Sequence, residues 1–258
     1  MLEAELDSPV TLQRVLESIK DFVQEASWEC SSTGMCLATM DSSHVSLVMV
    51  MLTREMFSYY KCDKDIVLSI NLLNFYKILK FAQNDDIVTI SAGKDVMVLR
   101  YKNKSGTEVS EYELKLMDLE NDYITFPQKG YTTVAQIPSQ QFHNICRDFS
   151  QISDSITISC SDKEIVFEAS GILSNGSVKL IKSEDGRKEG IQIKTKSVTT
   201  MTFAARFLSQ FGKAASLSDW VQLRMMGETV LMVRYPIKNK DMVDIGYIKY
   251  YLAPKITD

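Results

Sequence analysis

Asp41, Ser42, Ser43 and His44 stand in a row and carry the side chains of a hydroxyl nucleophile, its base and an orienting carboxylate. On an extended segment consecutive side chains point to opposite faces, so these four cannot converge on one reacting atom. The only other histidine, His143, falls on a helical pattern beside Asn144, with no carboxylate or cysteine at ligand spacing. Neither Gly-x-x-x-x-Gly-Lys-Ser/Thr nor Gly-x-Gly-x-x-Gly occurs, so the usual nucleotide-binding loop is not encoded. Asp85 and Asp86, between a helical and a strand pattern, read as a solvated turn. The five cysteines, Cys30, Cys36, Cys62, Cys146 and Cys160, are odd in number and form no Cys-x-x-Cys pair. They read as reduced and mostly buried, not as a disulfide framework or a zinc site. The residues predict no catalytic centre, no metal and no cofactor, and leave an enzyme, such as a hydrolase on a repeated α+β scaffold, as the minor reading.

The elements around these residues explain more. At 258 residues, 45% of them hydrophobic, the chain suffices for one large or two ordinary domains with a full core. The start, Met-Leu-Glu-Ala-Glu-Leu-Asp, is acidic, and the longest apolar run, Val45 to Leu52, is far short of a membrane span, so a soluble intracellular protein with no membrane partner is expected. Asn103-Lys-Ser105 and Asn175-Gly-Ser177 fit the glycosylation pattern but carry no weight without a secretory signal.

An amphipathic helix followed by alternating strands recurs four times, beginning near Ser8, Asn71, Pro138 and Thr202, at spacings of roughly 63 to 67 residues. The helical stripes are Leu12, Val15, Leu16, Ile19, Phe22 and Val23; Leu72, Phe75, Leu79 and Ala82; Phe142, Ile145, Cys146 and Phe149; and Phe203, Phe207, Leu208 and Phe211. Strands are expected over 28–30, 35–39 and 45–52, then 87–91 and 96–101, 155–160 and 165–169, and 220–225 and 230–235. The pattern predicts an α+β fold of two similar domains, 1–117 and 132–258, each a duplicated helix-plus-sheet repeat. Residues 118–131, of mixed polarity with a Pro and a Gly, form the connector.

The polar faces of the four helices collect cations: Arg14 and Lys20, Lys77 and Lys80, Arg147, and Arg206 and Lys213. Acids intrude at Glu17, Asp21 and Asp148, and a single such helix would be no more than a solvated face. Four with one bias, in a chain of net charge −4, suit a protein that meets nucleic-acid phosphates with one face only. The acidic balance would then sit at 108–113, 118–122, 184–189 and 241–244. No helix-turn-helix, zinc-finger or aromatic stacking pattern accompanies the cations, so contact would be with the backbone, independent of sequence.

Met40-Asp-Ser-Ser-His-Val-Ser-Leu47 and Tyr250-Tyr-Leu-Ala-Pro-Lys-Ile256 lie about 200 residues apart. With Tyr76-Lys-Ile-Leu-Lys80, Lys115 to Leu119 and Ile145 to Phe149, they resemble the proliferating cell nuclear antigen family, the eukaryotic DNA sliding clamps. The resemblance covers the whole chain. It implies a nuclear, head-to-tail homotrimeric ring that encircles duplex DNA, with helices lining the hole and sheets outside; a subunit of a heterotrimeric checkpoint clamp is the nearer alternative. It implies a processivity factor for replicative polymerase and a docking platform in replication and repair. Partners would be DNA polymerase delta, the clamp loader, flap endonuclease and DNA ligase, through Gln-x-x-aliphatic-x-x-aromatic-aromatic peptides.

Carried over, the DNA-facing residues are Arg14, Lys20, Lys77, Lys80, Arg147, Arg206 and Lys213, with Asn144 and Gln151 standing where many relatives have basic or imidazole side chains. The peptide pocket is Met40, His44, Val45 and Leu47, roofed by Ile124, Phe126, Pro127 and Tyr131 and completed by Tyr251, Leu252, Ala253, Pro254, Lys255 and Ile256. Val230 stands where relatives have a Pro. The subunit interface is an edge strand with Val109, Glu111, Tyr112 and Leu114 against one with Asn175, Gly176, Val178 and Leu180. The family's ubiquitin-acceptor lysine falls in Ser161-Asp162-Lys163-Glu164, with Lys163 displaced by one position.

Overall fold

The computed structural model of the chain describes residues 1–119, 124, 130–183, 190–226 and 229–255. Its α+β class is the one expected, and each repeat runs strand, helix, strand, strand, strand. The first repeat is β1 (Leu2–Leu6), α1 (Val10–Ile19), β2 (Glu25–Ser31), β3 (Gly34–Met40) and β4 (Ser46–Thr53), followed by β5 (Tyr59–Cys62). The second is β6 (Ile66–Asn71), α2 (Leu72–Leu79), β7 (Ile87–Ala92), β8 (Val96–Lys102) and β9 (Val109–Lys115). The third is β10 (Thr133–Pro138), α3 (Ser139–Phe149), β11 (Ser155–Cys160), β12 (Glu164–Ser170) and β13 (Asn175–Ile181), followed by β14 (Gln192–Thr195). The fourth is β15 (Thr199–Ala204), α4 (Ala205–Gly212), β16 (Trp220–Met226), β17 (Val230–Lys238) and β18 (Asp244–Leu252).

Each repeat therefore opens one strand earlier than the helical stripes suggest. In β1 the alternation is plain, with Leu2, Ala4 and Leu6 buried between two glutamates. Phe203 belongs to β15, not to α4, and Phe22, Val23 and Ala82 lie past the ends of their helices. The backbone amides of Phe22 and Val23 still reach the Ile19 carbonyl, at 2.9 and 3.0 Å, so the helical period persists for one turn beyond α1 and misplaces its end. The start of α2 is set by Asn71, whose side chain accepts a 3.0 Å hydrogen bond from the Asn74 amide.

The chain divides into two compact units. The first comprises Met1–Ser42, Val48–Ile124 and Ile237–Ile248. Its sheets run β5-β1-β7-β8-β9 and β4-β3-β2-β6, and the two repeats exchange their opening strands: β1 pairs with β7 (Ala4 opposite Ile90) and β6 with β2 (Trp28 opposite Leu68). Leu12, Val15, Leu16 and Ile19 of α1 and Phe75 and Leu79 of α2 are buried with Trp28, Leu37, Ile70, Ile90 and Leu99 from the strands. Removing each large apolar side chain from water contributes on the order of 2 kcal/mol. Gly34 (φ 138°) is required there, since a Cβ would sit 2.1 Å from the Leu52 carbonyl oxygen.

The second unit comprises Ser43–Leu47, Thr125–Pro236 and Lys249–Asp258. It repeats the exchange, with β10 against β16 and β15 against β11, in the runs β14-β10-β16-β17 and β13-β12-β11-β15. Phe142 packs against Phe167 and Phe211 stacks on Tyr250 at 4.4 Å, all four buried. A Cβ on Gly212 would lie 3.1 Å from His143 Cα, so α3 and α4 owe their close approach to this glycine. Among the described residues no helix is long and apolar enough to cross a membrane.

Candidate nucleic-acid and partner interfaces

Asp41 is buried, while Ser42, Ser43 and His44 are exposed, His44 with a left-handed φ of 56°. His143 has its Nδ1 enclosed within unit 2 without a hydrogen-bond partner. All five cysteines are free thiols. Burial, with the neighbouring Cys62 thiol adding to it, pushes Cys30 up to about 12, and burial alone pushes Cys160 up to about 11. Such thiols stay protonated near neutral pH and are poor nucleophiles. Among the described residues no three His, Cys, Asp or Glu side chains are grouped to hold a metal.

Two cations of unit 1, Lys20 and Lys80, meet at one ring. Arg14, Lys77 and Lys80 are exposed. The Lys20 and Lys80 ammonium groups lie 5.1 and 5.5 Å from the centre of the Tyr76 ring, and the Tyr76 hydroxyl donates to Glu17 Oε1 at 2.9 Å. Burial first, then the Glu17 carboxylate, raises the Tyr76 phenol and keeps it neutral. Tyr76 is the residue that helix-by-helix reading passes over, although it stands in the Tyr76-Lys-Ile-Leu-Lys80 segment. Lys20 also contacts Asp21 at 2.9 Å.

In unit 2, Arg147, Arg206 and Lys213 are exposed. Arg147 contacts the adjacent Asp148 at 2.8 Å, and Arg206 lies over the Phe207 ring at 4.7 Å. Asn144 accepts from Gln140 Nε2 at 3.1 Å, which leaves that stretch of α3 uncharged. Exposed neighbouring ion pairs of this kind are worth at most ~1 kcal/mol, so a phosphate can displace the acid.

Of the pocket residues, unit 2 brings the 43–47 segment and the tail together: the Ala253 amide donates to the Val45 carbonyl at 3.1 Å. Val45, His44 and Ala253 are exposed and Pro254 is half-buried. Tyr131 is half-buried beside them, hydrogen-bonded to Tyr251 and 5.8 Å from the Arg224 guanidinium, with burial raising its phenol. Val230 and Tyr251 are 9% exposed, while Leu47 (7%) and Leu252 (0%) lie in the core beneath. Leu47 and Leu252 thus shape the surface from below and offer a ligand nothing directly. Lys255 turns elsewhere: its amide donates to the Thr202 carbonyl at 2.8 Å and its ammonium to Ser155 Oγ at 2.5 Å. Met40, exposed, and Ile124, half-buried, belong to unit 1. Phe126, Pro127 and Ile256 lie outside the described residues.

The two strands expected at a subunit interface are both end strands of their sheets among the described residues, β9 in unit 1 and β13 in unit 2, with the same alternation of outer and inner residues. On β9, Val109 is 57% exposed and Glu111 pairs with Arg100. Tyr112 packs 5.3 Å from both Phe81 and Tyr101, and Leu114 is buried. On β13, Asn175 Oδ1 accepts from Ser170 Oγ at 2.8 Å and Lys179 contacts Glu164 at 3.2 Å. Val178 is half-buried and Leu180 buried. Gly176 is covered from inside, since a Cβ there would come within 3.0 Å of Phe149 and 3.1 Å of Ile152. Lys163 is exposed in the turn between β11 and β12.

Residues 1–124 match the family model of the proliferating cell nuclear antigen N-terminal domain, and residues 125–255 match that of its C-terminal domain. With the doubled strand-helix repeat in each half, the molecule is a two-domain sliding clamp of the α+β clamp fold, a non-catalytic scaffold class. The chain belongs to the proliferating cell nuclear antigen family.

Proposed function

We propose that three copies of the chain join head to tail, β9 of one against β13 of the next, into a ring that encircles duplex DNA as a polymerase processivity factor. The single observation that carries the reading is the pair of complementary edges on one chain. Their inner and outer residues alternate in step; the outer residues of β9 include Glu111, Glu113 and Lys115, and those of β13 include Lys179. Edges left this open invite a partner strand. Because one chain holds both halves of the contact, self-assembly is favoured over a heterotrimeric checkpoint clamp, whose subunits would each depend on a different neighbour. A solution mass near three times 29.3 kDa is expected; a stable monomer that assembles only with other proteins would overturn it.

Residues 118–131 connect the two clamp domains, and the helices meet DNA through Arg14, Lys20, Lys77, Lys80, Arg147, Arg206 and Lys213. The Val45–Ala253 surface of unit 2 receives Gln-x-x-aliphatic-x-x-aromatic-aromatic peptides of DNA polymerase delta, the clamp loader, flap endonuclease and DNA ligase, in the nucleus. Charge reversal at Lys20, Lys77, Arg147 and Lys213 is expected to abolish polymerase stimulation on primed DNA and to flatten the salt dependence of duplex binding while the assembly keeps its mass. Unchanged stimulation by the quadruple variant would remove the helices from the DNA contact.

A further inference from the structure

Unit 2 contains a cavity of about 690 Å³ between the end of α3 and the start of α4, lined by Ser150, Ser153, Asp154, Arg206, Ser209 and Lys255. The Lys255 ammonium is anchored by Ser155 Oγ at 2.5 Å and the Asp154 carbonyl at 3.4 Å. Two of its three N–H donors are thereby used and one remains for a ligand. The Arg206 guanidinium is steadied on the Phe207 ring and makes no ion pair among the described residues. The serines are not equivalent: Ser150 spends its proton on the Arg147 carbonyl at 2.7 Å, whereas Ser153 Oγ only accepts, from the Ser155 amide at 3.2 Å, and keeps a proton to donate. The one carboxylate on the wall, Asp154, leaves the two cations in excess.

We propose that this cavity binds nucleic-acid backbone phosphate, with Lys255 and Arg206 as charged ligands, the Ser153 hydroxyl as a donor and Ser155 as the residue that positions Lys255. Lys255 thus serves DNA and not the peptide surface, two residues from Ala253, to which sequence order assigns it. A phosphodiester is favoured over a phosphorylated peptide because Ser150 ties the cavity wall to Arg147 and because Arg206 rises from α4, both cations of the helix faces. The inference rests on the DNA reading above.

The test uses the full chain and a short labelled duplex, titrated at several salt concentrations. Lys255→Gln and Arg206→Gln are each expected to lower the slope of log affinity against log salt by about 0.9, the value for one lost phosphate contact on B-form DNA. Ser155→Ala, which only frees the ammonium, is expected to weaken binding less and to be rescued by Ser155→Thr. Affinity for a Gln-x-x-Leu-x-x-Phe-Phe peptide is expected to stay the same in Lys255→Gln. If Lys20→Glu lowers the slope and Lys255→Gln does not, the cavity is not a DNA contact and the clamp reading stands; if neither lowers it, the DNA reading itself falls. Inorganic phosphate that displaces duplex from wild type no better than chloride at equal ionic strength supports a phosphodiester site. Stronger displacement that Lys255→Gln abolishes identifies a free-phosphate site and overturns the proposal, as does wild-type preference for a phosphoserine peptide over the duplex.

Discussion

Val178→Glu is expected to convert the assembly to monomers at micromolar concentration while each chain stays folded. Val178 lies in the middle of β13 on the same side as Gly176 and Leu180, and is half-buried in the single chain. A β9 strand laid along this edge would complete its burial and trap the new carboxylate in the contact. An unpaired charge taken out of water there costs several kcal/mol, enough to weaken assembly by a hundredfold or more. Sedimentation of the variant shows the mass, and far-ultraviolet dichroism with thermal unfolding shows whether the fold survives. A folded variant that keeps the wild-type mass would place the contact elsewhere. Replacing Lys179 would be a weaker probe, because its exposed pair with Glu164 already screens it.

Peptide docking is expected to fall ten- to a hundredfold in Val45→Asp with no change in mass or stability. Val45 is 37% exposed and its carbonyl accepts from the Ala253 amide, so its backbone fixes the surface that its side chain borders. An apolar contact at the centre of an interface is worth roughly 1–3 kcal/mol, and a carboxylate there adds a desolvation cost. Calorimetric titration with a Gln-x-x-Leu-x-x-Phe-Phe peptide gives the affinity. Undiminished binding by a folded variant would move the peptide off the 43–47 segment. The Lys20, Lys77, Arg147 and Lys213 variant is the control, since its substitutions lie on the helices or at their C-terminal caps and not in the 43–47 segment or the tail.

The helices were legible because a period of 3.6 residues is a local property: Leu12, Val15, Leu16 and Ile19 announce α1 with no knowledge of what they pack against. The strand before each helix was harder to see. The short alternation of Leu2, Ala4 and Leu6 becomes a β-strand only by pairing with β7, and nothing near residue 2 in the chain reports on residues 87–92. The same limit applies to the surfaces. Arg14 or Lys77 can be picked out from one helix, whereas Tyr76 gains its place between Lys20 and Lys80 only when α1 and α2 are side by side. At the tail, Tyr251 to Ile256 read together as one wall of the peptide pocket. Leu252 enters the core and Lys255 turns to Thr202 and Ser155, because the hydrogen-bond partners that separate them come from distant strands.

The composition of unit 1 bears on how the chain acquires its structure. The unit draws on residues 237–248 as well as on 1–42 and 48–124, and a Cβ on Gly246 would sit 2.3 Å from the Met51 carbonyl oxygen, so this returning segment lies hard against β4. A ribosome making the protein therefore releases β4 long before the segment that lies against it. Pairings this distant in sequence carry a loop-closure cost before they return any stability. Until that segment emerges the edge of β4 has no neighbour, a state in which chaperone capture competes with association between unfinished chains.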